Sequence, residues 1–309
     1  MSENAPWHAG EVALQRSVGV AERMAEIGHK TIRDHLIQQH REFYPLLPMI
    51  VLGSVDGRGE AWATLRTGYP GFLHAEDEHH LHLDLSRDEY DPAEAGLEDG
   101  ASAALLGIDL STRRRNRLNG TVIRDGEGFT LHVDQSFGNC PRYIQRRAPV
   151  FVGDPAAPSR AIPKSFVRLE GAPLELVQRA DTLFVATYVE GGNRQLSVDV
   201  SHRGGPAGFV HVNEGVLTIP DYAGNMYFNT LGNILANPWA GLTFVDFETG
   251  DLLQMTGVAK LLPMPSDTAR HPGAERLWSF EPTRILWRPA TLALRWRFDE
   301  WSPFLPKAA

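Results

Sequence analysis

Ala63-Thr64-Leu65-Arg66-Thr67-Gly68-Tyr69-Pro70-Gly71-Phe72 and Val200-Ser201-His202-Arg203-Gly204-Gly205-Pro206-Ala207-Gly208-Phe209 are two versions of one segment. Arg66 matches Arg203, Gly68 Gly205, Gly71 Gly208 and Phe72 Phe209, each at a separation of 137 residues (203 − 66 = 137). The hydroxyls Thr64 and Ser201 keep that separation. So, further on, do Asp109 and Asp246, Thr112 and Thr249, and Gly120 and Gly257. One ungapped register over some 57 residues reads as two copies of one module. A unit of that length is a duplicated domain and not a solenoid repeat of about 20–50 residues. Two copies in one chain make an internal dimer, which can hold a ligand between its halves.

The 309 residues suffice for one large core or two modest ones. Apolar residues at 42% and charged residues at 22% are ordinary for a soluble globular protein. No stretch approaches the ~18–20 apolar residues that span a bilayer, and the start, Met-Ser-Glu-Asn-Ala-Pro, shows no secretory signal. A single cysteine, Cys140, excludes an intrachain disulfide framework and suits a cytoplasmic location. The net charge of −8 argues against nucleic acid as a partner. The run Arg113-Arg114-Arg115-Asn116-Arg117 goes against that average. It reads either as a solvated hairpin or strand edge, or as a patch for phosphate or another anion.

Residues 11–40 carry apolar side chains at helical spacing, with Gly19 and Gly28 suggesting a break, and Pro45 and Pro48 close the segment. Thereafter short apolar runs alternate with turn residues. In the first copy, strands are expected at 49–54, 61–66, 81–85, 101–108, 118–124 and 129–133, with turns at 56–59 and 125–128. In the second they are expected at 182–188, 195–200, 209–213, 216–220, 240–246, 252–261, 284–287 and 292–298, with a short helix at 173–180. Many short strands without strand–helix alternation indicate barrels or sandwiches. The organisation is then an N-terminal helical segment (1–45), a first copy (46–149), a proline-rich connection (150–164) and a second copy (165–309).

Three stretches carry candidate chemistry. Asp199 to Pro206 sets a hydroxyl (Ser201), an imidazole (His202), a guanidinium (Arg203) and two glycines just after a strand. Arginine binds phosphate as a planar fork, and glycine lets backbone N–H groups approach an anion. The plain alternative is a glycine-rich hairpin with an exposed arginine. Asn225 to Pro238 holds four asparagines in 13 residues. Asn229 and Asn233 share a helix face and suit sugar hydroxyls or a heterocycle edge, whereas Asn237 before Pro238 ends the helix. Gln135 to Arg147 presents Cys140 beside Arg142, which would favour thiolate, although a buried inert cysteine is the commoner case. His74, His79, His80 and His82 read as a solvated strand face, not a metal site. No Walker loop, nucleophile elbow or Rossmann glycine pattern is present.

These residues resemble the bacterial FMN-binding proteins related to pyridoxamine 5′-phosphate oxidase, in particular a long, duplicated subgroup that also forms the front part of larger flavin and iron–sulfur reductases. The matching stretches include His8 to Glu11, Gln39 to Phe43, Trp62 to Thr64, Arg113 to Gly120, Gly138 to Gln145, Asp199 to Phe209 and Gly224 to Asp246. The resemblance implies a mainly β (α+β) fold: two tandem split barrels, six-stranded, antiparallel and of Greek-key type, with flanking helices. It implies FMN held across the barrel interface, here within one chain.

The phosphate-gripping positions fall in Ser197 to Arg203 (Ser197, Asp199, Ser201, His202 and Arg203) and at Asn229 and Thr230. Asn229 and Asn233 are expected on the ribityl chain or ring edge. Trp62, Tyr143 and Cys140 are candidates for the substrate side. The oxidase lysine is missing near Thr230 and that enzyme's substrate residues find no match, which puts pyridoxamine phosphate oxidation itself in doubt.

The copies also differ. Leu65 stands opposite His202, and Gly250 to Gln254 stands opposite Arg113 to Arg117. This suggests one flavin site, with Arg115 or Arg117 donated by copy one. The expected function is that of an FMN-dependent oxidoreductase acting on a small molecule, with a flavin or iron–sulfur reductase as candidate redox partner and a homodimer compatible with the pattern. The alternatives are a non-catalytic carrier of flavin, haem or another tetrapyrrole, with His202 or His211 as axial ligand, and an electron relay.

Overall fold

The computed structural model describes residues 6–124, 126, 128–157, 161–191, 195–263 and 271–306. Part of the turn expected at 125–128 and part of the connection expected at 150–164 lie outside these residues. Strands β1 (Met49–Val55), β2 (Ala61–Thr67), β3 (Leu73–Ala75), β4 (His80–Leu83), β5 (Ser102–Asp109), β6 (Arg114–Ile123) and β7 (Phe129–Gly138) form one antiparallel sheet. Its order is β2-β1-β5-β6-β7-β4-β3. Strands β10 (Thr182–Glu190), β11 (Leu196–Gly204), β12 (His211–Asn213), β13 (Val216–Tyr222), β14 (Trp239–Val245), β15 (Leu252–Leu262) and β16 (Ala274–Arg288) form a second. Its order, β11-β10-β14-β15-β16-β13-β12, is the same with nine added to each number. The fold is the expected mainly β pair of tandem barrels, the short β3 and β12 extending each six-stranded path to seven. A short β9 (Lys164–Phe166) adds to β16.

Strand pairing shows why the sequence repeat keeps its register. Ile50 pairs with Arg66 and Leu183 with Arg203, so the strand-two positions differ by 137 and the strand-one positions by 133. Leu118 pairs with Leu105 and Met255 with Leu242, again 137 apart. Across the next pairing, Ser136 opposite Leu118 and Ile285 opposite Met255 differ by 149, because the second copy has a longer connection there.

Each repeated glycine has one cause in both copies. A β-bulge falls between Asn119 and Gly120, and its counterpart between Thr256 and Gly257. A Cβ on Gly120 would lie 2.0 Å from the His132 carbonyl oxygen, and one on Gly257 2.1 Å from that of Glu281. A Cβ on Gly68 would enter the Phe72 ring and one on Gly205 the Phe209 ring. Gly71 and Gly208 have φ of +102° and +78°, a region that disfavours side chains. Asp109 and Asp246 each close the following turn, accepting from Ser111 N at 2.9 Å and from Glu248 N at 2.9 Å.

Alternation along the strands sorts side chains between a barrel core and a core shared by the copies. Ile50 and Leu52 of β1 face the first barrel's core, while Met49 and Val51 face the shared one. In β10, Leu183 and Val185 face the second barrel's core, while Phe184 and Ala186 face the shared one. The sheets meet through β1, β2 and β5 on one side and β10, β11 and β14 on the other. Strands β8 (Arg146–Phe151) and β17 (Leu294–Glu300) follow the two sheets and pair with each other. Ala148 lies opposite Arg297, its own counterpart at 149, so this ribbon sits on the pseudo-two-fold axis.

The N-terminal segment forms α1 (Ala9–Ser17), α2 (Ala21–Thr31) and α3 (Gln38–Phe43), with breaks beside Gly19 and after Thr31. Two more helices, α4 (Gly171–Arg179) and α5 (Asn229–Ala236), belong to the second copy. Helix α1 packs on α5 where a Cβ on Gly10 would lie 2.1 Å from the Gly232 carbonyl oxygen. Among the described residues, no helix is long and apolar enough to cross a membrane.

Gly120→Ala and Gly257→Ala should each lower the denaturation midpoint, corresponding to about 1–3 kcal/mol for overpacking against backbone. Gly57→Ala, which meets nothing within 4 Å, should leave it unchanged. Urea titration reads the difference, and equal midpoints for all three would contradict the shared role of the bulge.

Candidate functional site

The strand expected to end at Val200 continues to Gly204. Ser201, His202 and Arg203 pair with Val185, Phe184 and Leu183, so the Ser-His-Arg motif lies in β11 and not in a turn after it. The basic run likewise enters β6 from Arg114 onward, where alternation turns Arg115 and Arg117 to one side. These two strands meet across the copies and wall a cleft. The β7–β8 turn (Asn139, Cys140, Arg142, Tyr143), the end of β13 (Asp221, Tyr222) and the first residues of α5 (Asn229, Thr230) complete it.

Arg117 is buried; one Nη donates to Asp199 Oδ1 at 3.1 Å and the other to Ser201 Oγ. Thr230 Oγ1 lies 3.1 Å from Ser201 Oγ. Arg203 is neutralised by Asp221, to which Arg276 also contributes at 3.7 Å. Burial raises the Asp221 carboxyl's pKa, and these arginines oppose that shift. Arg115 has no carboxylate within salt-bridge distance among the described residues, and its side chain donates a hydrogen bond to His202 Nδ1 at 3.3 Å. Burial and the neighbouring Arg117 bring its pKa down to about 9, which leaves it charged at neutral pH.

His202 is 6% exposed. Burial first, then Arg115, Arg203 and Arg147, hold its pKa well below the usual imidazole value, so the ring is neutral. A guanidinium cannot accept a hydrogen bond, so Nδ1 accepts and the ring proton sits on Nε2. That Nε2–H has no partner among the described residues. Neither have the buried Nε–H groups of Arg115, Arg117 and Arg203, nor the Nδ2 of Asn139. The five unsatisfied groups are all donors, and all line the same cleft. Leaving a buried polar group unpaired costs about 1–3 kcal/mol, more for a charged one. The cleft is therefore built for an acceptor-rich, anionic occupant.

The structure brings together Arg115, Arg117, Ser201, His202, Arg203, Asn229, Thr230, Cys140 and Tyr143 from the residues singled out in the sequence. Asp199 and Asn233 lie beneath the wall. Asp199 accepts from Arg117, Asn119 and Asn233, and the fully buried Asn233 also bonds Thr187 and His8. Ser197 lines a separate shallow cleft with Asn119 and Gln195. Trp62 does not reach the site. It is fully buried, bonds Asp56 and stacks under Arg284, in the position that Asp199 takes in copy two (62 + 137 = 199). His211 lies on β12 against His271, not among the cleft's lining residues. His80 and His82 sit beside Asp77 and Asp84 at the partly exposed face of β4.

Three contributors, Asn139, Asp221 and Glu11, are not among the residues singled out in the sequence. Asn139 and Asp221 line the cleft, Asp221 paired with Arg203. Glu11 secures α5 by accepting from Asn229 Nδ2 at 2.5 Å and from His8 N at 2.9 Å. Burial, reinforced by Asp199, raises its pKa to about 8.

No family model matches the chain, and no curated protein does. Solved structures similar to it include HutZ, the heme storage protein from Vibrio cholerae (17% identity, covering 40% of this chain and 95% of that one, TM-score 0.27). Others are a putative pyridoxamine 5′-phosphate oxidase from Lactobacillus delbrueckii (17%, 34% and 95%, 0.28) and the FAD-binding protein from Mycobacterium smegmatis (17%, 40% and 98%, 0.28). The duplicated fold rests on the strand order itself, the same seven-stranded antiparallel path occurring twice in the chain.

A carboxyl whose folded pKa lies above its unfolded value favours folding fully below the unfolded pKa, and that contribution is lost as pH rises through the folded one. Stability should therefore fall between about pH 4.5 and about pH 8 through Glu11. Glu11→Gln should flatten the profile in that window, measured as denaturation midpoint against pH relative to wild type. Parallel profiles would show that Glu11 titrates normally.

Proposed function

We propose that the chain is an FMN-binding protein, and that its reaction is an oxidoreduction carried out on the flavin. The observation that carries this reading is the set of five buried donors with no acceptor, which meet where β6 of one copy faces β11 of the other. A phosphate monoester supplies several acceptor oxygens and the negative charge that Arg115 lacks. Arg115, Arg117 and Arg203 would hold it with Ser201 and Thr230, beside the N-terminus of α5. That helix has no side-chain cap, so its first N–H groups remain available to an anion. Asn229 would meet the ribityl hydroxyls or ring edge. Asn233 supports the wall through Asp199 and has no direct contact to offer. FMN supplies the hydride or single-electron transfer; the protein binds, orients and shields it. Tyr143 and Cys140, at the cleft's other wall, are left for the substrate side. Candidate partners are a small-molecule substrate or a flavin or iron–sulfur reductase, and the expected location is the cytoplasm.

A haem reading would use a histidine ligand. Arg115 donating to Nδ1 of His202 keeps the proton on Nε2, the atom an iron would need, and His211 does not line the cleft. The geometry therefore favours the flavin.

The purified protein, or the protein loaded with FMN and then freed of unbound flavin by gel filtration, should show a flavin absorbance doublet. A Soret band, or a protein fraction that is colourless after such loading, would contradict the reading. Arg203→Ala should weaken FMN binding by about 1.5–3 kcal/mol, roughly 10- to 150-fold. Unchanged affinity would remove Arg203 from the site.

A further inference from the structure

The pseudo-two-fold axis generates a second cleft, and its fate can be read residue by residue. The counterparts of Ser201, Arg203, Arg117 and Asn139 are Thr64, Arg66, Gln254 and Arg288, by the separations of 137 and 149 given above. In the first cleft, Nε of both arginines and Nδ2 of Asn139 are left without acceptors. In the second, all four counterparts bond a carboxylate, and of the four only Arg288 keeps a buried donor, its Nε, without a partner. Thr64 Oγ1 donates to Asp91 at 2.5 Å and Gln254 Nε2 donates to Asp91 at 2.9 Å. Arg288 lies 3.2 Å from Asp91 and also bonds Asp88. Arg66 donates to Glu94 at 3.2 Å.

These acids sit at a 3₁₀ turn, Pro92–Gly96, and in the residues just before it. The turn occupies the β4–β5 connection, the place that α5 holds between β13 and β14. Asp91 is 3% exposed and also accepts from the backbone N–H of Ala93 at 3.1 Å, so its carboxylate is sealed from both sides.

We propose that Asp91, flanked by Asp88 and Glu94, is a built-in occupant of the second phosphate position. The chain then takes one phosphate-bearing cofactor and conceals a latent site for phosphate monoesters beneath the turn. The count of one rests on the flavin reading of the first cleft. The latent site rests only on the donors gathered around Asp91. Charge explains the asymmetry: in the second cleft Arg66, Arg124 and Arg288 are met by Asp88, Asp91 and Glu94, whereas Arg115 in the first is unmatched. Removing the Asp91 carboxylate would leave Arg288 and Gln254 facing a vacated space of carboxylate size, the condition that marks the first cleft.

The test has two arms. In the first, calorimetric titration of the wild-type protein with FMN should give one equivalent per chain, and Arg66→Ala should bind FMN within twofold of wild type. Two equivalents, or a marked loss of affinity in Arg66→Ala, would overturn the proposal while leaving the first-cleft reading intact. Absence of any FMN binding would overturn that reading, and the second arm would then decide the proposal alone. In that arm, inorganic phosphate is the probe. Phosphate should raise the melting temperature of Asp91→Ala by several degrees more than that of wild type. Equal shifts in the two proteins would refute the latent site. If Asp91→Ala fails to fold, Asp91→Ser, which leaves a hydroxyl for Gln254 and Arg288, is read in the same way.

Discussion

Close approach of the two sheets is the constraint on which the rest depends. A Cβ on Gly241 of β14 would lie 2.4 Å from the carbonyl oxygen of Ala61 in β2, so the second copy's strand rests almost directly on the first copy's backbone. Thr243 and Gln254 of the second copy both donate to the Ala63 carbonyl of the first. With the backbones held at that distance, side chains at the margins of the contact cannot withdraw. Arg115 and Arg117 are pushed against β11 on one flank, and Gln254 and Arg288 against the 3₁₀ turn on the other. The clefts are consequences of the packing. Their chemistry is decided by what each copy places at its margin.

The two margins resolve the same problem differently. Burying guanidinium groups is unfavourable unless they are paired and hydrogen-bonded. The second cleft gives each of its arginines a carboxylate from Asp88, Asp91 or Glu94, leaving Arg288 Nε and one Arg124 Nη unpaired. The first satisfies Arg117 through Asp199 and Arg203 through Asp221 but leaves Arg115 and several N–H groups open. The asymmetry is one of charge: every arginine of the second cleft meets a carboxylate, and Arg115 of the first does not. It also gives the N-terminal segment a role. Helix α1, seated on α5 through Gly10 and Gly232 and tied by His8 and Glu11, fixes the helix whose first turn borders the open cleft.

Much of this was legible in the sequence because the repeated residues are those with no substitute. Gly120 and Gly257 stand out because the bulge tolerates no side chain, and Asp109 and Asp246 because each closes a turn. Arg115 and Arg117 could be read as donated to the second copy's site because copy two lacks them. Local patterning could not show that β11 runs on through Ser201 to Gly204, since polar residues and glycines signal a turn unless pairing with β10 is known. The short β3, β8 and β9 were missed because polar or proline-flanked runs carry no periodicity. The first half of β16 was missed because charged residues interrupt it. Trp62 was misplaced for a related reason: as a strand residue in the shared contact it is buried, a fact that depends on the second copy. Asn233 and Asp199 fall just beneath the wall they help to build, a depth that spacing along one strand or helix does not reveal. The closure of the second cleft needed coordinates, because Asp88, Asp91 and Glu94 read in sequence as an ordinary acidic, proline-containing loop.

The most direct test of the account is a crystal structure of the protein grown with FMN, examined for where the phosphate lies. The account predicts one phosphate per chain, held among Arg115, Arg117, Arg203 and the first turn of α5, with the turn bearing Asp91 undisturbed. A phosphate bound at Arg66 and Arg288, or one bound outside the contact between the copies, would contradict it.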